Sequence, residues 1–147
     1  MHIQISEGIG SILIVEDEGL VAMMMEDLAR ELGVQNIHIC SDVQSALELA
    51  KTADIDCAVL DLHVRGGSSE GIADVLADRN IPFLFSTGSD IGALGERHAA
   101  RPRINKPFTD DDFKLTLIDT WALRDPRLAA ILSTGDCARV ATANSTD

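Results

Sequence analysis

Five short apolar runs alternate along the chain with segments whose apolar residues recur at helical spacing. The runs span residues 12–15, 37–40, 57–60, 83–85 and 103–105, and the last is the weakest. The first, third and fourth are continuously apolar, which is typical of central strands that helices cover on both faces. The second alternates only partly, so we expect it at an edge of the sheet.

The segments between the runs have the periodicity of amphipathic helices. In the first segment, Leu20, Met24, Leu28 and Leu32 recur at four-residue spacing, and Val21 and Met25 widen this stripe. The pattern predicts a buried face on a helix that ends at Gly33. A third helix follows the loop at residues 66–69. The segment at residues 90–95 contains two glycines and predicts only a poor fourth helix.

Two polar residues are predicted to cap the N-termini of other helices. Ser41 is followed three residues later by Gln44, which predicts a capping box for the second helix. Thr109 is the predicted cap of the fifth helix, and the acidic residues 110–112 then lie favourably at its N-terminus.

The alternation of strands and helices predicts the fold class. Five βα units with short connections favour an α/β fold with a doubly wound five-stranded parallel sheet. The strand order 2-1-3-4-5 of flavodoxin-like proteins is the simplest solution for 147 residues. We expect one domain at residues 11–123, with an N-terminal extension at 1–10. Residues 124–147 form a C-terminal extension, predicted as a short helix and a frayed tail.

Composition narrows the function classes. Twelve Lys and Arg face 24 Asp and Glu, a formal charge of −12, which disfavours direct binding to nucleic acid or to anionic membranes. No apolar run approaches the ~20 residues that span a bilayer, and we see no secretory signal. Cys40 and Cys57 lie in apolar runs, which indicates reduced core residues of a cytoplasmic protein.

Polar residues follow four of the five predicted strands. Glu16 and Asp17 follow the first, Asp61 the third, Thr87 the fourth and Lys106 the fifth. In doubly wound folds the ligand site lies at the carboxyl ends of the strands. We therefore expect these side chains to meet in one crevice.

Carboxylates that lie this close repel one another unless a cation intervenes. Mg²⁺ is usually held by one or two carboxylates, several waters and a phosphate oxygen. Glu16, Asp17 and Asp61 would supply such a site, with the backbone carbonyl of His63 in reach two residues after Asp61.

The same crevice has groups for phosphoryl chemistry. With the local charge offset by the metal, Asp61 could attack a phosphoryl group and form an aspartyl phosphate. The metal and Lys106 would stabilise charge on the phosphoryl oxygens, and Thr87 could donate a hydrogen bond to them.

In these motifs the sequence resembles the receiver domain of two-component response regulators. The resemblance covers roughly residues 11–123 and rests on five blocks in order, at residues 12–18, 59–61, 66–67, 85–88 and 106–108. It implies that Asp61 is the phosphoacceptor and that Glu16 and Asp17 bind Mg²⁺. It further implies that Thr87 is the switch hydroxyl and Lys106 the lysine that contacts the phosphate.

Residues 85–88 also resemble the motif of the FAT GUY subgroup, which is common among single-domain receivers of alphaproteobacteria. Three positions depart from the usual pattern. Glu16 stands where many receivers have Asp, and Asp90 stands where the subgroup has an aromatic residue. Arg103 replaces the aromatic side chain that swings inward in many receivers, which leaves the mode of switching open. Arg103 and the loop at residues 66–67 nevertheless fit the FAT GUY subgroup.

The resemblance implies a stand-alone response regulator rather than an enzyme. Its phosphodonor would be a sensor histidine kinase or a histidine phosphotransfer protein, and its output a contact with a downstream protein. Homodimerisation is left open, as are the pathway and the phosphate lifetime.

Three other functions compete with this interpretation. A phosphatase of the haloacid dehalogenase type would want an Asp at the position of His63. A flavin-binding electron carrier would want a phosphate-cradling loop where the acidic residues 16–18 lie. A pseudo-receiver that binds partners without phosphorylation is the strongest alternative, because a complete site need not be used.

Overall fold

A parallel sheet forms the centre of the protein, and the computed structural model describes residues 9–88 and 95–124 of the chain. The strands in chain order are β1 Ser11–Val15, β2 Asn36–Cys40, β3 Cys57–Asp61, β4 His63–Val64, β5 Gly67–Ser68, β6 Phe83–Thr87 and β7 Arg103–Asn105. The helices are α1 Gly19–Glu31, α2 Val43–Thr52, α3 Glu70–Asp78 and α4 Asp110–Ala122, with a 3-10 helix at Glu96–His98.

The order of the strands confirms the predicted topology. The five-stranded sheet runs β2-β1-β3-β6-β7, and all four strand pairings are parallel. The weakest apolar run is the edge strand β7, and the partly alternating run is the other edge, β2. The first, third and fourth runs are the central strands, as their continuous apolar character predicted.

The alternation of side chains along each strand divides the core between the two faces of the sheet. Ile12 and Ile14 of β1 pack in one cluster with residues of α1 and α4. Leu13 and Val15 pack in a second cluster with residues of α2 and α3. The helices therefore cover both faces, and every polar residue that ends a strand has a face set by this alternation.

The predicted stripe of α1 is wrong in its first half. Leu28 and Leu32 are buried, but Leu20 is 80% exposed and Met24 is 38% exposed. A strict four-residue spacing advances about 40° per step around a helix, so Leu20 lies about 120° from Leu32. The residues of α1 that do face the core are Ala22, Met25, Leu28 and Ala29.

Capping matches the prediction at two helix ends and contradicts it at a third. Thr109 accepts a hydrogen bond from the Asp112 N–H at 3.0 Å, as predicted. Gly33 follows the end of α1 with a φ of 94°, which the missing side chain permits. The predicted capping box at Ser41 is wrong, because α2 starts one residue later. Asp42 caps it, accepting from the Ser45 N–H at 2.8 Å.

The short antiparallel hairpin of β4 and β5 was not predicted. It occupies the loop in which Gly66 and Gly67 adopt φ values of 97° and 128°. Its two-residue strands are too short for a periodic pattern, so only the glycines signalled a turn there.

Two of the three cysteines lie where the sequence predicted. Cys40 and Cys57 are free and buried, and burial raises the pKa of the Cys57 thiol to about 12. Cys137 lies outside the described residues, as do the predicted N-terminal extension up to residue 8, most of the poor fourth helix and nearly all of the C-terminal extension. In residues 9–88 and 95–124, no helix has the length and apolar character needed to cross a membrane.

Candidate functional site

The carboxyl ends of the strands bring three acidic residues together. Glu16 directly follows β1, where its N–H donates to the Cys40 carbonyl at 3.0 Å and extends the sheet by one residue. Asp61 is the last residue of the neighbouring strand β3. One carboxylate oxygen from each of Glu16, Asp17 and Asp61 lies within 4.8 Å of the others. The structure therefore assembles the three predicted metal-binding carboxylates.

Lys106 reaches into this acidic group from the far edge of the sheet. Its Nζ donates to Glu16 Oε1 at 2.6 Å and to Asp61 Oδ2 at 3.2 Å. Burial alone would lower the pKa of Lys106. Its hydrogen bonds and attraction to the two carboxylates outweigh burial and raise the pKa, so the ammonium stays charged.

Glu16 is the most deeply buried member of the group. Its side chain is 1% exposed, and its Oε2 accepts a hydrogen bond from the Glu18 N–H at 3.1 Å. Burial raises the pKa of Glu16, and the hydrogen bonds from Lys106 and Glu18 offset this only in part. A buried carboxylate with one nearby ammonium is a strong candidate for binding a further cation.

The donor set fits a hard divalent cation. Three carboxylates face one ammonium, so the cluster keeps a net negative charge. All three acids offer oxygen ligands, which Mg²⁺ prefers. Their graded exposure, from buried Glu16 through intermediate Asp61 to exposed Asp17, leaves one side open for water and a phosphoryl oxygen. The residues present therefore fit a magnesium ion.

The hairpin after β3 is tied to the backbone of the site. The Ser69 hydroxyl donates to the Asp61 carbonyl at 2.7 Å, and the Leu62 N–H donates to the Ser86 carbonyl at 3.2 Å. The sequence analysis placed Ser69 only in a loop, since a contact across eight residues leaves no periodic signal. His63 begins β4 and is exposed, and its carbonyl remains a predicted ligand.

Thr87 ends β6 beside the lysine. It is 2% exposed, and its backbone carbonyl accepts a hydrogen bond from the Lys106 N–H at 2.8 Å. The structure thus places Thr87 next to Lys106, and its switching role remains a prediction. The peptide bond between Lys106 and Pro107 is cis.

Comparison with solved structures decides the family. No protein-family model matches the chain. The chain is 38% identical to SdrG from Sphingomonas melonis Fr1, whose solution structure it matches with a TM-score of 0.67. The match covers 77% of this chain and 96% of SdrG, and SdrG is a response regulator receiver domain. The chain belongs to the receiver domains of response regulators.

Other relatives agree with this assignment. The Phyllosphere-induced regulator PhyR of Methylorubrum extorquens is 34% identical over 101 residues, which are 66% of this receiver and 38% of PhyR. The receiver spans about half or less of the length of the curated relatives it matches. These relatives are signalling proteins of two-component systems rather than classical enzymes.

The fold is also shared with the receiver domain of the sensor histidine kinase PA1611 from Pseudomonas aeruginosa PAO1. That match is 20% identical, with a TM-score of 0.64, and covers 78% of this chain and 98% of the other. The crystal structure of that protein contains a magnesium ion coordinated in its active-site cleft.

The chain between β6 and β7 contacts α3 in this receiver. His98 is fully buried, with its Nε2 2.7 Å from Asp74 Oδ1 and its ring against Phe83 and Phe85. The Gly95 N–H donates to Glu70 Oε1 at 3.1 Å. The sequence analysis missed these contacts because each joins residues more than ten positions apart.

Arg103 is exposed at the edge strand β7. A guanidinium is costly to bury without a partner, so this position does not fill the core as an aromatic side chain would. Arg103, at the position where many receivers have an aromatic side chain, is therefore exposed instead of packing in the core.

Proposed function

We propose that this receiver accepts a phosphoryl group on Asp61 in a magnesium-dependent reaction and signals through protein contacts. The donor is the phosphohistidine of a sensor histidine kinase or of a histidine phosphotransfer protein. The observation that carries the proposal is the contact of Lys106 with both Glu16 and Asp61 inside a three-carboxylate cluster. In this proposal Asp61 is the nucleophile, the Lys106 ammonium is the cation, and the three carboxylates are metal ligands at the carboxyl ends of the strands.

Exposure favours Asp61 as the acceptor among the three carboxylates. The Glu16 side chain is 1% exposed, so a phosphodonor cannot reach it. The Asp61 side chain is 13% exposed and also contacts the Lys106 ammonium. Asp17 is exposed and is better placed to complete a metal site from the solvent side.

The reaction follows from these positions. A carboxylate oxygen of Asp61 forms a bond to phosphorus while the bond between phosphorus and the donor imidazole nitrogen breaks. Magnesium, held by Glu16, Asp17 and Asp61 with the His63 carbonyl, would neutralise charge on the phosphoryl oxygens. The Lys106 ammonium would donate hydrogen bonds to the same oxygens.

Signalling would start at Thr87. The phosphoryl group adds roughly −1.5 to −2 charges and three strong acceptors, which attract the Thr87 hydroxyl. Because β6 leads toward the segment that contacts α3, a shift of Thr87 would alter how that segment packs. A downstream protein would then recognise a surface that includes β7 and α4. The predicted fourth helix at residues 90–95, most of which lies outside the described residues, would adjoin it.

Phosphorylation with acetyl phosphate tests the proposal. Wild type with Mg²⁺ should gain one phosphoryl group by intact mass, and EDTA should abolish the gain. Asp61→Asn should not be labelled, while Asp27→Asn, the same change on an exposed face of α1, should be labelled normally. A wild type that stays unlabelled, also with a histidine phosphotransfer protein, would instead indicate a pseudo-receiver that binds partners without phosphorylation.

A further inference from the structure

Ser86 has a buried hydroxyl without a hydrogen-bond partner among the described residues. The residue is fully buried, and its Oγ contacts no donor or acceptor in residues 9–88 and 95–124. Leaving a buried hydroxyl unpaired costs about 1–3 kcal/mol, so native proteins rarely keep one. An alanine would fill nearly the same space without this cost, which calls for a reason why a serine stands here.

The position of Ser86 in the sheet points to the reason. Leu84 packs in the same cluster as Ile14 and Val59, so Ser86 faces the same side as Glu16 and Asp61 two residues further along their strands. Ser86 is also the direct register partner of Asp61. Its hydroxyl therefore belongs to the row of polar side chains that forms the site.

Lys106 lies one strand away from Ser86. Its own strand β7 borders β6, whereas its partner Glu16 follows β1, with β3 and β6 in between. Ile104 is the register partner of Ser86, so Lys106 is its diagonal neighbour on the same face, within reach of a long side chain. The lysine thus spans β6, the strand that carries Ser86, to reach the carboxylates.

We propose that Ser86 is a positioning residue that accepts a hydrogen bond from the Lys106 ammonium when the lysine leaves Glu16. This inference rests on the proposed function, in which magnesium binds the cluster. The Lys106 ammonium and magnesium then compete for the same carboxylate oxygens. Without metal, Lys106 is bound to Glu16 and Asp61. With metal, the ammonium withdraws toward its own strand, where the Ser86 hydroxyl receives it beside Asp61 and directs it at the phosphoryl oxygens.

Under this proposal the Ser86 hydroxyl stabilises only the metal-bound state. Ser86→Ala removes an unpaired group from the free protein and should leave its thermal stability unchanged or slightly higher. In the metal-bound protein the same change removes the acceptor that replaces Glu16 for the Lys106 ammonium. Magnesium binding should therefore weaken, and only while Lys106 is present.

Calorimetric titration with Mg²⁺ of four proteins tests this coupling: wild type, Ser86→Ala, Lys106→Ala and the double variant. The Ser86→Ala protein should have a Kd for Mg²⁺ about fivefold higher than wild type, which is the scale of one hydrogen bond. The same substitution should not change the Kd of Lys106→Ala. Thr120→Val, which removes a buried hydroxyl of α4 that bonds to the Thr116 carbonyl, should bind like wild type. An equal effect of Ser86→Ala in both backgrounds, or none in either, would overturn the proposal.

A crystal structure of the magnesium-loaded wild type provides a second test that needs no variant. Lys106 Nζ should lie within hydrogen-bonding distance of Ser86 Oγ, and a lysine still bound to Glu16 would contradict the proposal. If wild type binds Mg²⁺ and is labelled on Asp61 while Ser86→Ala behaves like wild type, this inference alone fails. If wild type binds no Mg²⁺, the proposed function and this inference fail together.

Discussion

Lys106 Nζ lies 2.6 Å from Glu16 Oε1, although the two residues are 90 positions apart in the sequence. Their strands are separated by two others in the sheet, so the contact requires the whole parallel arrangement to be correct. It also places the receiver's ammonium where a divalent cation would compete with it. The contact therefore links the stability of the free protein to the state of its site.

Lys106→Ala should destabilise the metal-free protein by about 1–2 kcal/mol at pH 7.5, because the buried Glu16 carboxylate loses its cation. Mg²⁺ should restore this loss, so it should raise the Tm of the variant more than that of wild type. Thermal unfolding with and without Mg²⁺ measures both effects. Lys51→Ala, on the exposed surface of α2, is the control. An equal Mg²⁺ shift in the variant and in wild type would contradict the competition.

The same variant should separate phosphorylation from signalling. Lys106→Ala keeps the Asp61 nucleophile and the three carboxylates, so acetyl phosphate should still label it, more slowly than wild type. The conformational response should be lost, as read from the fluorescence of Trp121 in α4. A variant that shows the full response of a responsive wild type would show that Lys106 has no switching role.

Asp42→Ala should lower the free energy of unfolding, because it removes the hydrogen bonds that cap α2. The hydrogen bonds from the Ser45 N–H and hydroxyl also hold the pKa of Asp42 below its usual value. The loss should therefore shrink as the pH falls and the carboxylate is protonated. Ser41→Ala, at the wrongly predicted cap, should be neutral in the same urea titration. A larger loss for Ser41→Ala than for Asp42→Ala would overturn the structural assignment.

Features that depend on local sequence patterns could be predicted from the sequence, whereas features that depend on contacts between distant residues could not. The strand end at Asp61 was predictable because a continuous apolar run stops there. The weak run before Lys106 was placed mainly by the alternation of strands and helices, and parallel strands then align the two ends. The cap at Asp42 depends on where a helix begins within one residue, which periodicity does not resolve. The exposure of Leu20 instead follows from the drift of a four-residue spacing around the helix. The unpaired Ser86 and the contact of His98 with Asp74 arise only when distant strands and helices pack together.

Asp119 should make stability depend on pH. Burial raises the pKa of this carboxyl in α4 from 3.8 to about 6. The folded state thus holds a proton that the unfolded state releases, so the contribution of Asp119 to stability is full below about pH 4 and is lost as the pH rises through 6. Asp119→Asn should stabilise the protein by about 1 kcal/mol at pH 7.5, allowing for partial exposure, and should have little effect at pH 4. Urea unfolding at both values measures this, with Asp27→Asn as the exposed control. A benefit that is larger at pH 4 would contradict the sign.

The site of the acyl phosphate tests the central claim most directly. Protein phosphorylated with acetyl phosphate and Mg²⁺ is treated with borohydride, which reduces an aspartyl phosphate to homoserine. Peptide mass spectrometry then identifies the modified residue. The proposed function predicts homoserine at position 61 and at no other acidic residue, with none formed in the presence of EDTA. Homoserine at Asp17 or at another aspartate, or the longer 5-hydroxynorvaline at a glutamate such as Glu16, with Asp61 unmodified, would contradict it.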